Sequence, residues 1–445
     1  MKRAFVAAML LALALPSAAT ADPPWTPPQN VSSPSTFPGP LLGAIAGGDG
    51  RALAFWNAQD TTSQPVLRWR VASRAPGAAT FGAQQSAPAN LVDVVPYGNT
   101  RTLGAFQVQV GPPETPRTKV QVRFGRTTGS FGSARTIADT PFRLLSTSVA
   151  ANTRGDAAVA WFADRGTSND RVFVSLRRAG GSFGSPIQLT EGRIRSVDVA
   201  VGPEGQVLVA WDARGTLRTR FRRSMTTPFG STETISSEEA FHAQLHAAVG
   251  SSGRAYLAWS AKFTSEGGAQ HDVFYEVAVR PSGQRFRDAT LLERQPANRP
   301  QNPIAIAVIG RDATVAWSGF DGTNARVRTS ATDSAGRFGP AQDVSPAGAD
   351  AVVSDLKVAA GQRVVLWDNG GFDANQVFAA LANPTPPPSP FGPAEAVSPA
   401  QEARAGAVVP ASPIGAVWSN RPTGSNPPGG VNAIQTFVQA SARTP

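Results

Sequence analysis

An aromatic residue recurs about every fifty residues along this 445-residue chain. It ends a segment in which one short apolar run, a Gly-containing turn and a second apolar run follow each other, as in VAVGPEGQVLVAW. A repeat of this length is a structural unit that must stack on its neighbours, because one copy cannot bury its own apolar faces. The eight recurring positions are Trp56, Phe106, Trp161, Trp211, Trp259, Trp317, Trp367 and Trp418.

A second aromatic series lies between these positions, and all but one of its members precede a glycine. It has seven members: Phe81, Phe131, Phe183, Phe229, Phe286, Phe338 and Phe391. The missing eighth member is found near the start of the chain, where WTPPQNVSS aligns without a gap on FGPAQDVSP from Phe338. The segment that begins at Trp25 is therefore expected to pair with residues 432–443 and to complete the last repeat.

Each repeat contains four short segments that are expected to form antiparallel strands. In the fourth repeat these are residues 196–201, 206–211, 217–222 and 232–235, which we call strands A to D. Short strands separated by Gly, Pro, Ser and Asn are typical of all-β proteins, and four strands per unit match a propeller blade. We predict one domain, residues 22–445, that forms an eight-bladed β-propeller, with the tryptophans filling the wedges between blades. A seven-bladed ring is the alternative, because Phe106 replaces tryptophan in the second repeat.

The beginning of the chain has the pattern of a secretory signal peptide. Lys2 and Arg3 precede an apolar run, residues 4–15, and an A-x-A site ends at Ala21, so residues 1–21 are expected to be removed. The run is too short to span a bilayer. We predict a secreted or periplasmic monomer with no transmembrane segment after cleavage. The absence of cysteine excludes disulfides and thiolate sites.

The formal net charge of +10 comes almost entirely from arginine. Guanidinium groups favour anionic partners, which outside the cell means acidic glycans; a compositional bias is the alternative explanation. Arg218, Arg220 and Arg222 alternate along strand C of the fourth repeat and indicate either an anionic groove or an ordinary outer strand. Nucleic acid is not an expected partner, because basic and aromatic residues do not interleave on one surface.

The loops between strands B and C vary most in length, and such loops commonly carry binding sites. They are rich in carboxylates, which either bind a ligand or cap their own turns. Candidate ligand-binding residues are Asp164, Asp170, Asp272 and Asp321, with Trp69 as a stacking surface. Candidate catalytic residues are Asp212 and Asp368, since glycosidic hydrolysis needs two carboxylates, together with His242 and His271.

One position at the start of strand A carries Asp93, Asp198, His246 and Asp355 in four of the repeats. If the ring closes, these side chains lie in or beside its central channel, where oxygen ligands from separate strands suit calcium. The alternative is that each bonds to a neighbouring blade. All three histidines, His242, His246 and His271, fall in the fifth repeat and make a zinc or general-base site conceivable.

The repeat design resembles that of secreted bacterial propellers of the sialidase superfamily, over the whole of residues 22–445. The family motifs are not matched: an Asp-box has only a degenerate counterpart at residues 332–338, and an F-R-I-P motif is absent. The resemblance implies a catalytic tyrosine paired with glutamate, but Tyr97, Tyr256 and Tyr275 are not expected at the channel mouth. We therefore expect a module that binds a glycan or protein through its B–C and D–A loops, the alternative being a polysaccharide hydrolase or lyase.

Overall fold

The computed structural model consists of β-strands arranged as eight four-stranded antiparallel sheets. Within the described residues the one helical element is a 3-10 turn at Ser251–Gly253, and no helix there is long and apolar enough to cross a bilayer. The eight sheets confirm the eight-bladed β-propeller and show that the seven-bladed alternative is wrong. The predicted signal peptide, residues 1–21, lies outside the described residues. The structure describes residues 25–32, 37–59, 67–88, 91–111, 117–164, 169–236, 240–264, 270–369, 375–382, 389–399, 402–421 and 437–443.

The first strand, β1 (Gln29–Asn30), belongs to the last blade, and blades 1 to 4 follow it in chain order. Blade 1 contains β2 (Phe37–Ala46), β3 (Ala52–Gln59), β4 (Leu67–Arg74) and β5 (Gln85–Ser86). Blade 2 contains β6 (Leu91–Tyr97), β7 (Arg101–Val110), β8 (Arg117–Arg126) and β9 (Arg135–Thr140). Blade 3 contains β10 (Arg143–Ala151), β11 (Ala157–Asp164), β12 (Asp170–Arg177) and β13 (Ile187–Gly192). Blade 4 contains β14 (Ile194–Val201), β15 (Val207–Ala213), β16 (Thr216–Arg222) and β17 (Glu233–Ser236).

Blades 5 to 8 repeat this order, and the last blade takes its outermost strand from the start of the chain. Blade 5 contains β18 (Ala240–Val249), β19 (Ala255–Thr264), β20 (Gln270–Arg280) and β21 (Thr290–Gln295). Blade 6 contains β22 (Ile304–Ile309), β23 (Asp312–Phe320), β24 (Ala325–Ala331) and β25 (Gln342–Asp343). Blade 7 contains β26 (Ala351–Ala359), β27 (Gln362–Asn369), β28 (Val377–Ala382) and β29 (Glu395–Ala396). Blade 8 contains β30 (Glu402–Val409), β31 (Gly415–Arg421), β32 (Phe437–Ala442) and β1.

The core lies between adjacent blades, and the second strand of each blade is at its centre. Strand β15 reads VLVAWDA, and residues 207–212 are all inaccessible to solvent. A strand with paired neighbours on both edges and blades on both faces has no polar side, so it reads as a continuous apolar run rather than an alternating one. One cluster joins Phe162 of blade 3 to Trp211 of blade 4.

The recurring aromatic residues are the largest side chains of this core. All seven tryptophans of the series are at most 1% exposed, and Phe106 of blade 2 is equally buried. Two of the indoles are bonded as well as packed, since Trp259 Nε1 donates to Glu276 at 3.0 Å and Trp317 Nε1 donates to Glu293 at 2.7 Å. The predicted wedge role is therefore confirmed, and phenylalanine can fill the same position.

Strand β1 closes the ring. It pairs antiparallel with β32, where Gln29 faces Ala440 and Asn30 faces Gln439, and Trp25 forms a further bridge to Arg443. Both Trp25 and Val31 are 5% exposed, so the borrowed segment also contributes to the core. The predicted pairing of the N-terminal segment with the last repeat is confirmed.

A polar clamp recurs between the outer parts of neighbouring blades. At four places the residue four positions after a member of the second aromatic series, with Trp25 as its eighth member, bonds to the member of that series in the next blade. Gln29 exchanges two 2.8 Å hydrogen bonds with the backbone of Phe81. The equivalent pairs are Gln342 with Phe391, Glu233 with the backbone of Phe286, and Glu395 with the indole of Trp25. We call these contacts blade clamps.

Candidate functional site

The first strands of the blades line the centre of the ring, where neighbouring first strands contact one another. Strand register places the four residues predicted to be equivalent at one level. Each lies opposite the residue that precedes the recurring tryptophan or phenylalanine of the second strand. The pairs are Asp93 with Ala105, Asp198 with Ala210, His246 with Ala258, and Asp355 with Leu366. Ser148 of blade 3, opposite Ala160, is a fifth polar residue at this level that the sequence analysis did not single out.

Several of these side chains bond to the first strand of the next blade. Ser148 Oγ accepts a hydrogen bond from the Val199 amide at 3.2 Å. Asp198 Oδ2 accepts one from the Ala247 amide at 2.7 Å, and Asp355 Oδ2 accepts one from the Val408 amide at 2.9 Å. The first strand is an edge strand, so its outward amides need partners from outside the sheet. These contacts match the structural alternative to a cation site.

The channel also concentrates charge. Burial raises the pKa of Asp93 to about 7; the nearby Asp198 carboxylate adds to this shift, and the Val94 amide and the Lys357 ammonium oppose it. Burial likewise raises the pKa of Asp198, against the influence of the His246 imidazole and of Ser148 Oγ, which donates to Asp198 at 2.5 Å.

Lys357 is the one cation of this group that the sequence analysis overlooked. Its ammonium lies 2.9 Å from Asp355 and donates to the Ala44 carbonyl at 2.8 Å, so it links blade 7 to blade 1. A signal for it existed in the sequence, because Lys357 follows Asp355 by two positions and alternate residues of a strand share a side.

The predicted calcium site has no ligand cluster among the residues that the structure describes. Nowhere in those ranges do three or more His, Asp or Glu side chains come close enough to hold a metal ion. Carboxylate oxygens of Asp198 and Asp355 instead accept hydrogen bonds from backbone amides. The side chain of His271, on β20, lies outside the described part, and His242 is 1% exposed, so the conceived zinc site is not assembled from described residues.

Asp212 and His242 form a buried pair beneath the loops of blades 4 and 5. Both side chains are inaccessible, and His242 Nδ1 lies 3.4 Å from Asp212 Oδ2. The carboxylate also accepts hydrogen bonds from the Gly215 amide at 2.7 Å and from the His242 amide at 3.3 Å. Neither imidazole nitrogen makes a hydrogen bond with the described residues. The pair therefore joins two blades and lies under the surface rather than on it.

We define the loop face as the face that carries the B–C loops and the links between blades. The backbone shows that both lie on one side, since the Arg214 amide in a B–C turn donates to the Arg193 carbonyl in a blade link at 3.0 Å. Asp170 on this face is 6% exposed and accepts the Ile194 amide at 3.0 Å, and Asp272 forms an ion pair with Arg294.

The other predicted ligand-binding residues have different surroundings. Asp321 Oδ1 accepts the amides of Asn324 and Thr323 at 2.9 Å each, and these two bonds lower the pKa of its carboxyl group. The Trp69 ring is 8% exposed and packs in the core between blades 1 and 2, so it offers no open stacking surface. Asp164 ends β11 and its side chain lies outside the described part; Asp368 lies half-buried on β27 with a polar partner.

Arginines of the loop face form a patch that the sequence analysis missed. Arg193, Arg195 and Arg214 of blade 4 are all exposed, and we call them the arginine patch. The sequence analysis considered the strand C arginines instead. In blade 4, Arg220 donates to the Thr232 hydroxyl at 2.9 Å, and in other blades strand C arginines pair with carboxylates on strand D. Examples are Arg171 with Glu191 at 3.2 Å and Arg326 with Asp343 at 2.9 Å.

No family model and no curated protein matches the sequence. Solved structures that resemble the chain include an ulvan lyase of polysaccharide lyase family PL25, with 8% identity over 83% of this chain and 95% of that chain at a TM-score of 0.49. The NanB sialidase from Streptococcus pneumoniae has 10% identity over 94% and 71% at 0.40, and the Dos1 propeller 11% over 77% and 91% at 0.45. The chain is thus a β-propeller without a family match, and its architecture rests on the strand pairing described above.

Proposed function

We propose that this protein is a secreted binding module that engages an extracellular glycan through its loop face. The observation that carries the proposal is that the acidic residues predicted on this face already have partners within the protein. Asp170, Asp212 and Asp321 accept backbone amides, and Asp272 pairs with Arg294. Carboxylates that hold loops in place support a rigid binding surface and are not available as an acid and base flanking a glycosidic bond.

A polysaccharide hydrolase or lyase at the same face is the second candidate. The contact between Asp212 and His242 favours it, because a carboxylate beside Nδ1 is a common way to orient a histidine base. It takes second place because both side chains are inaccessible, and a general base has to come within hydrogen-bond reach of its substrate.

The test uses the mature chain, residues 22–445, and a panel of neutral and acidic polysaccharides. Calorimetry measures binding, while reducing ends and the ultraviolet absorbance of unsaturated uronates measure turnover. We expect saturable binding without turnover. Turnover that falls by orders of magnitude in Asp212→Asn or Asp368→Asn, with binding and melting temperature retained, would establish the enzyme instead. Binding to a protein and to none of the glycans would also overturn the proposal.

A further inference from the structure

The arginine patch is built around a strained turn. Arg214 and Gly215 form the two-residue connection between β15 and β16, in which Ala213 faces Thr216. Both turn residues have positive φ, 55° for Arg214 and 80° for Gly215. This turn geometry favours Asn-Gly, because a larger side chain in the left-handed region is disfavoured. Arginine is therefore a costly choice at this position, and backbone strain of this kind concentrates at functional sites.

The two arginines at the turn carry uncompensated charge. Arg193 and Arg214 are exposed and joined through their backbones, and neither has an ion-pair partner among the described residues. The carboxylates of the adjoining strands are already engaged: Asp212 accepts amides, and Glu191 pairs with Arg171 at 3.2 Å.

The third member of the patch is held in place by the next blade. Arg195 Nη1 donates to the Ala240 carbonyl at the start of blade 5, at 3.2 Å. A guanidinium fixed in this way loses less freedom when it binds a ligand. The turn of blade 4 is also short, with two residues against five in each flanking blade, 165–169 and 265–269. The patch thus occupies the shortest of three consecutive loops.

We propose that the arginine patch binds the sulfate or carboxylate groups of an acidic polysaccharide. This inference rests on the proposed function, since it names the class of glycan that the loop face would take. Guanidinium groups bind both kinds of oxyanion in bidentate fashion. The site lies on the loop face of blade 4.

The experiment compares two double variants with the same loss of charge. Arg193→Gln with Arg214→Gln removes the two unpaired arginines of the patch. Arg178→Gln with Arg223→Gln removes two exposed arginines that follow strand C at the opposite face. The probes are dextran sulfate, unmodified dextran and polygalacturonate, so that sulfate and carboxylate recognition are measured separately against a neutral backbone.

We expect the patch variant to bind dextran sulfate, polygalacturonate or both about tenfold more weakly, and the control variant to bind within about twofold of the parent. Equal losses in both variants would show binding through net charge alone and would overturn the inference. A second outcome would overturn the inference and leave the proposed function standing. In it the parent binds dextran as tightly as it binds either polyanion, and the patch variant binds dextran as tightly as the parent does. Binding of the parent to neither polyanion would overturn the inference, whereas only a failure to bind the whole polysaccharide panel would overturn the proposed function as well.

A single substitution guards against an effect on folding. Arg214→Asn removes the guanidinium and places in the turn a residue that tolerates positive φ. Its melting temperature is expected to equal or exceed that of the parent, while its affinity for the polyanion falls. A gain in melting temperature with unchanged affinity would exclude Arg214 from the site.

Discussion

The carboxylates at the channel positions have unequal surroundings. Asp355 has the Lys357 ammonium at 2.9 Å, and Asp198 has the hydroxyl of Ser148 and the Ala247 amide. Asp93 has the Val94 amide at 2.7 Å. A buried carboxylate with few donors favours its neutral form, which explains why the pKa of Asp93 rises to about 7.

This shift predicts a pH dependence of stability. The pKa of Asp93 is higher in the folded protein than its ordinary value of 3.8, so the folded state binds the proton more tightly. The stabilising effect is complete below about pH 4 and is lost as the pH rises through about 7. Asp93→Asn keeps an oxygen that can accept the Val94 amide but does not ionise.

The measurement is the melting temperature at pH 5 and at pH 8. We expect the parent to lose more stability between these values than Asp93→Asn does, so that the variant is the more stable protein at pH 8. Groups far from Asp93 cancel in the difference between the two proteins. The Asp198 carboxylate does not cancel, because it interacts with the Asp93 carboxylate and adds to the rise of the Asp93 pKa. Parallel pH profiles for the two proteins would contradict the assigned environment of Asp93.

At the scale of the strand, local pattern predicted most of what the structure contains. In blade 4 the predicted segments 196–201 and 217–222 correspond to β14 (Ile194–Val201) and β16 (Thr216–Arg222). Alternation and turn residues are properties of adjacent positions, so they can be read from one repeat. The number of blades was predictable for the same reason, since it required only counting the aromatic residues that recur about every fifty positions.

The individual residue pairs that meet between blades were not predictable in this way, because they join residues about fifty positions apart. The sequence put forward Trp69, on strand C of the first repeat, as a stacking surface, but residues of blade 2 pack against that side of β4 and bury the ring at 8% exposure. It also presented Asp212 and His242 as separate candidates, although they face each other beneath the surface. Which face of an outer strand is covered depends on blade packing, and no local pattern encodes that.

The blade clamps predict that the stability of the contact between two blades depends on single polar side chains. Gln29→Ala removes both hydrogen bonds to Phe81, and we expect it to lower the free energy of unfolding by about 1–3 kcal/mol. Asn30→Ala is the matched control, because Asn30 is the next residue of β1 and bonds to Gln439 in an exposed position. Chemical denaturation measures both. A loss in Asn30→Ala as large as that in Gln29→Ala would mean that the clamp adds nothing beyond the strand itself.

At the scale of the whole molecule, the closing contact repeats the geometry of the other blades. In blades 2, 3 and 6 a bridge joins the end of strand C to the member of the second aromatic series in the same blade. The bridged pairs are Gly125 with Phe131, Arg177 with Phe183, and Thr332 with Phe338. Five residues separate the partners in each pair. Blade 8 has the equivalent bridge between Arg443 and Trp25, and residues 444–445 together with 22–24 also make five. Joining Pro445 to Asp22 would thus supply a connection of the length that these blades use.

A circular permutant tests this directly. A chain that runs from Phe37 to Pro445 and continues through residues 22–36 makes all four strands of blade 8 contiguous. We expect it to fold with a melting temperature close to that of the parent, because the strand pairings are unchanged.

The matched truncation runs from Phe37 to Pro445 alone. It removes Trp25 and Val31 from the core and leaves the edge of β32 unpaired, so we expect loss of cooperative unfolding or aggregation. Calorimetry and circular dichroism distinguish these states. A truncated chain that melted like the parent would mean that the ring is stable with an open blade. In that case the closing strand would serve another purpose than holding the eight blades together.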